Sequence, residues 1–397
     1  MPTFLHIEEP PSPAAPRGLA LWQLGFRPFY LLASLFAALS IALWGAQSVG
    51  WLPGAYLKGP AWHAHEMLFG FTLAVVVGFL FTAGRNWSGQ PTPTGAPLMA
   101  LALLWVAARV FVLTPWGAAA AAANVAFAWC SAWALWRALR RGGNRRNYFF
   151  AALLVAMGVA SLAVHLSLQG ALPWPAGNGL QAGLDVVLFI MAVMGGRVIP
   201  MFTNNGVPGT QARREPRLEK LALGSVLVLL AADVLALPTL ALGIAAIVAA
   251  AAHAARLWLW QPWRTRRTPL VWVLHLAYAW IPLHLALRAA AAAGWVMPSL
   301  ATHALTAGAI GGLVIGMMTR TARGHTARPL NADRYDVAAY LLVLGAALLR
   351  VGLPLAAPAL YVHAIAGSAI LWSMGFGLYA LRYGPMLLRP RLDGKPG

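Results

Sequence analysis

The residues best suited to chemistry in this chain are its histidines. Two of them stand in one short stretch, "GPAWHAHEMLFGF", Gly59 to Phe71. Imidazole titrates near neutral pH and is the commonest metal ligand, so His63 and His65 beside the carboxylate of Glu66 point to metal binding or proton transfer. On an α-helix His63 and Glu66 share a face, while His65 turns about 200° away from His63. One histidine can then hold a metal while the other, or Glu66, supports a partner or carries protons. His275 and His284 fall on opposite faces of one helix and cannot serve a common centre.

These groups sit in an unusually apolar chain. Of its 397 residues 60% are hydrophobic and only 10% charged, against roughly 25% charged in a soluble domain. Uncharged runs of about 20 residues, the length that crosses a bilayer core, recur throughout. The fold class is therefore all-α, a polytopic membrane protein with about twelve transmembrane helices in one bundle. The candidate spans are 24–46, 62–83, 97–114, 118–139, 148–168, 179–200, 217–237, 239–260, 269–292, 299–320, 335–352 and 357–382. Together they form a domain over 21–385, between cytoplasmic tails at 1–20 and 386–397. No internal repeat stands out.

Lys and Arg sort these spans into an orientation. The segments "RALRRGGNRR", "ARREPRLEK", "RLWLWQPWRTRR" and "RTARGHTARPLNADR", with the C-terminal tail, fall on one side. Only Lys58, Arg109, Arg288 and Arg350 lie away from it. An even number of crossings with both termini cytoplasmic follows, and the net charge of +19 is read as topology rather than nucleic-acid binding. The N-terminus has no basic region leading into an apolar one, so no cleaved signal peptide is expected. The single cysteine, Cys130, excludes an intrachain disulfide, a Cys-x-x-Cys-His haem attachment and any two-thiolate copper site.

Topology gives each polar residue a depth. His63, His65, His165, His284, His303 and His363 fall at similar depth, toward the outer face, on five spans; His275 lies deeper. An ionisable group at the middle of a membrane helix costs roughly 2.5–3.5 kcal/mol on insertion scales and usually marks function. Asp185 and Asp233 are candidates for proton uptake or for structural hydrogen bonds. Small residues recur every four positions at Gly70, Ala74 and Gly78, and at Gly308, Gly312 and Gly316. They either pack helices closely or form flat walls for a porphyrin. On the basic side, Arg197, Asn204, Asn205, Arg320, Arg323 and His325 are placed to bind an anion such as haem propionates or simply to set topology.

Taken in order, "LGFRPFYLLA", "WHAHEMLFGF", "GGRVIPMFTNNG", "LHLAYAW", "HALTAGAIGGLVIGMMTR" with "GHTARPL", and "PRLDGKPG" resemble the NnrS family, bacterial haem- and copper-containing inner-membrane proteins of nitric oxide metabolism. The resemblance spans essentially the whole chain. It implies non-covalent b-type haem and copper, redox chemistry on nitric oxide or its adducts, and a role in denitrification and nitrosative-stress defence. The family's histidine motifs fall on His63, His65, His275, His303 and His325. Ala327 stands where the pattern leads one to expect glycine. The expected metal ligands are His63, His65, His275 and His303. Haem contacts are expected from His65, His303, Arg197, Arg320 and His325, and proton handling from Glu66 and Asp185. A proton-coupled transporter, or a haem sensor or assembly factor without turnover, is the alternative.

Overall fold

The structure, a computed structural model, describes residues 18–395. Most of the expected N-terminal tail, including His6, lies outside the described residues. Among the described residues the chain is all helix and forms no strand. Twelve helical rods follow in order: α1 Phe26–Ser48, α2 Gly59–Ser88, α3 Gly95–Phe111, α4 Gly117–Arg141, α5 Tyr148–Leu168, α6 Ala176–Gly206, α7 Pro216–Val234, α8 Thr239–Leu259, α9 Pro269–Ala292, α10 Pro298–His325, α11 Arg334–Ala356 and α12 Tyr361–Leu388.

Ten of these are long and apolar enough to cross a membrane. The exceptions are α3, apolar but only 17 residues long, and α7, which carries Arg217, Glu219, Lys220 and Asp233. Both occupy expected spans. The weakly separated α7 and α8 part at a tight turn where Ala236 takes a φ of 50°. Helix α6 runs six residues beyond its expected end at Pro200, to Gly206, and α12 extends to Leu388.

Burial shows which helices form the interior. Of the most apolar stretch of α2, 78% is buried, and of α10, 72%, against 28% for α8. The outward side chains of α8, Leu240, Ile244 and Ile247, are exposed, as suits a rod facing lipid chains. Helix α1 packs against both α2 and α12, bringing the two ends of the chain together. There the amide of Ala20 donates to the carbonyl of Leu388 at 2.8 Å.

Both interior helices depart from α-geometry at matching places. In α2 the backbone widens to π-helix over Glu66–Thr72, and in α10 over Ala304–Ile310. Each widened turn begins one residue after a histidine, His65 or His303. The surrounding residues also match. Counting from each histidine, a proline lies five before (Pro60, Pro298), glycines five and thirteen after (Gly70, Gly78; Gly308, Gly316), and an arginine twenty after (Arg85, Arg323). The two interior helices are thus built on one local plan, a repeat that the sequence alone did not bring out. Single π-turns inside α-helices often mark functional positions.

The glycine ladders are filled by protein. A Cβ added at Gly70 would meet the Arg109 guanidinium, at Gly78 Phe29 and Tyr30, and at Gly308 the Trp280 indole. Close packing therefore occupies these walls.

Candidate metal and proton site

The arginine-poor end of the bundle gathers imidazoles from α2, α5, α9 and α10. At the junction of the α- and π-turns in α2, the Nδ1–H of His65 donates to Oε1 of Glu66 at 2.8 Å. His65 and Glu66 are essentially solvent-free, at 0% and 1% exposure. A carboxylate on Nδ1 fixes the tautomer and leaves the Nε2 lone pair free, as in metal-ligating histidines. That Nε2 is buried with no partner. The ring of His165, on α5, lies 4.8 Å away between centroids, and its Nε2 is likewise buried and unpartnered. Tyr56 stacks on His165, with centroids 5.7 Å apart, and burial raises its phenol above its ordinary pKa.

Burying Glu66 as an anion requires compensation, and Arg109 on α3 lies 3.3 Å from its carboxylate. Arg109 is itself held by Asn124 on α4. A buried pair of this kind adds little net stability, yet it is costly to break by removing one member.

His63 faces elsewhere. Its ring lies between Trp44, at 4.6 Å, and His303, at 6.5 Å, nearly parallel to both. The Nδ1–H of His303 donates to the Ser299 carbonyl at 2.6 Å. In the same way His284 donates through Nδ1 to the Ala301 carbonyl at 2.7 Å, leaving a buried, unpartnered Nε2. The structure thus separates His63 from His65. It joins His63 to His303 and His65 to His165.

The remaining expected residues lie apart. His275 accepts or donates through Nε2 at Thr203, 2.8 Å away, far along α9 from His284. Asp185 on α6 and Asp233 on α7 both grip Arg288 of α9, and Gln181 donates to Asp185 at 3.0 Å. Two carboxylates on one guanidinium leave one negative charge or one proton to be accommodated, and one oxygen of Asp185 has no partner. At the arginine-rich end, Arg197 donates to Asn147, Arg320 lies over the Phe202 ring, and His325 lies against Phe26. Arg323 instead binds Asp336 and Asp333, and Asn204 binds the Ala212 backbone. Each of these basic and amide groups is engaged by a different partner. His363 is exposed on α12.

A third network was not foreseen. Arg256 on α8 donates to Glu219 on α7 and to the Tyr278 hydroxyl on α9, which in turn donates to Nδ1 of His253 at 2.6 Å. The other two networks did leave a hint in their arginines: Arg109 and Arg288 stand away from the basic side of the sequence, and Arg109 proves to hold Glu66 while Arg288 holds Asp185 and Asp233.

One family model matches residues 20–391, nearly the whole chain, under the description NnrS protein. The chain belongs to the NnrS family. No curated protein matches it. As an NnrS protein it is a multi-pass membrane protein related to nitric oxide. In this NnrS chain no group of three or more His, Cys, Asp or Glu side chains among the described residues converges on a single metal position. The available donors come in pairs. The ring pairs are His65–His165, with centroids 4.8 Å apart, and His63–His303, with centroids 6.5 Å apart; these are the residues that would hold metal. Imidazole pairs of this kind fit copper, and single imidazoles with pinned Nδ1–H groups fit haem iron. At Ala327, where glycine was expected in NnrS sequences, φ is 57°. That left-handed backbone would favour glycine there, since a Cβ costs roughly 1–2 kcal/mol.

Proposed function

We propose that this protein is a haem- and copper-binding metalloprotein of the bacterial inner membrane that carries out redox chemistry on nitric oxide in nitrosative-stress defence. Its arginine-rich end faces the cytoplasm. The observation that supports this reading best is the His65 imidazole, pinned by Glu66 and left with a free Nε2, its ring 4.8 Å from that of His165, whose Nε2 is also free. Copper would be held there, and haem iron at His303 with His63 beside it. Bound metal supplies the capacity to exchange electrons with nitric oxide.

The chain's own residues do the rest. Glu66 keeps His65 in the ligating tautomer and is placed to handle a proton, with Arg109 as its neighbouring counter-charge in a dry interior. The apolar side chains around the site, Phe69 among them, exclude water. Nitric oxide is small and uncharged, so it reaches such a site through lipid without a hydrophilic channel. Asp185, Asp233 and Arg288 form the group able to take up and release a proton between the bundle and the outer surface.

The test is nitric oxide consumption by the purified protein with an electron donor, together with haem and copper analysis. Steady consumption by a coloured, copper-containing preparation supports the reading. Metal content without consumption points to a sensor or assembly factor. The paired π-turns of α2 and α10 favour one second reading, a proton-coupled transporter with interrupted helices in matching positions. A colourless preparation that moves substrate in vesicles would establish it.

A further inference from the structure

At the arginine-rich end, away from the histidines, a cavity of about 460 Å³ opens between the end of α10, the loop after it and the end of α12. Arg323, Arg328, Arg382 and Arg389 line it. Two of these are already neutralised: Arg323 pairs with Asp336 at 2.6 Å and with Asp333, and Arg382 pairs with Asp333 at 2.7 Å. Arg328 reaches only the Thr326 carbonyl, at 3.5 Å. Among the described residues the Arg389 guanidinium forms no hydrogen bond or ion pair. Burial, and then the neighbouring Arg323, Arg389 and Arg382, lower the Arg328 pKa. The cavity therefore holds positive charge in excess of its carboxylates.

Its other wall is apolar. Met386 and Pro385 line it, and Leu381, 79% exposed, stands at its edge on the outer face of α12. This places the cavity where a membrane helix meets the headgroup layer. Arginine offers planar, forked donors matched to phosphoryl oxygens. Basic pockets between membrane helices are suited to anionic headgroups.

We propose that this cavity binds a phosphoryl-bearing anion, with the headgroup of an anionic phospholipid, its chains lying over Leu381, as the favoured source.

The experiment uses the purified full-length protein, stripped of lipid in detergent. Thermal unfolding and native mass spectrometry are followed with inorganic phosphate, with phosphatidylglycerol or cardiolipin, and with phosphatidylcholine. The test variant is Arg328→Gln with Arg389→Gln, which leaves every arginine–carboxylate pair intact. The control is Arg266→Gln with Arg267→Gln, exposed residues in the loop after α8 at the same end. Anionic lipid is expected to bind and stabilise the wild type and the control, and the test variant to lose at least fivefold in affinity while keeping its near-UV circular dichroism. Stabilisation by phosphate but not by lipid, lost in the same variant, would keep the site and overturn its lipid source. Equal binding by wild type and test variant, or an equal loss in the control, would overturn the site itself.

Discussion

His65 and Glu66 are neighbours in sequence, yet the imidazole Nδ1 lies 2.8 Å from the carboxylate Oε1. Adjacent side chains on an α-helix point about 100° apart and do not normally face each other. Here they meet where α2 widens into its π-turn. The contact settles the orientation of His65, and through it the direction in which its free nitrogen faces.

Replacing Glu66 should therefore weaken metal binding without removing a ligand. Glu66→Ala is expected to lower copper affinity about 10–100-fold, the usual effect of losing such a partner. Glu66→Gln keeps an acceptor and should lose less. Competition titration with a copper chelator measures both, and equal affinity in all three proteins would contradict the role.

Arg109 is the counter-charge of that carboxylate. Arg109→Leu leaves a buried anion alone and is expected to cost about 3–5 kcal/mol. Combining Arg109→Leu with Glu66→Gln should restore part of the loss, because no lone charge remains. Thermal unfolding in detergent reads the difference, and strictly additive losses would show that the two residues do not depend on each other.

Tyr278→Phe tests the network between α7, α8 and α9. The hydroxyl serves both His253 and Arg256, and its loss leaves two buried polar groups short of a partner, about 1–3 kcal/mol. Unfolding should shift while copper content stays unchanged. A loss of copper would place this network inside the metal site.

Strong acid should open the loop before α11. Asp333 caps that helix, accepting from the amides of Tyr335 and Asp336. Although burial raises its pKa, the bonds from Arg382 and the Asp336 backbone outweigh this and hold it below the ordinary 3.8. A depressed carboxylate stabilises the fold above its unfolded value. That contribution disappears as pH falls through the lower, folded value. Local opening around residues 326–336, followed by hydrogen exchange, is therefore expected only below pH 3.8, and Asp333→Asn should show it already at neutral pH.

The spans were legible because uninterrupted apolar runs bounded by arginine clusters carry their own signal. Their ends were less so: α6 passes Pro200 and continues to Gly206, since a proline deep in a bundle bends a helix that tertiary packing still holds. The π-turns left no compositional trace, because widening one turn changes hydrogen bonding and not residue type. His65 and Glu66 were visible from their types and depth. The place of His165 beside His65 was not, because a hundred residues separate them and only the assembled bundle brings their rings to 4.8 Å. The shared plan of α2 and α10 was present in the letters but diluted. Five matching residues among more than twenty become evident once two π-turns mark the register.

The most direct measurement is copper bound per protein, with X-ray absorption at the copper edge, for the wild type and for His65→Ala and His165→Ala. The account predicts copper with imidazole nitrogen ligands in the wild type and its loss in each variant, with the folded state retained. Undiminished copper in both variants, or a wild-type protein that binds none when copper is supplied, would contradict it.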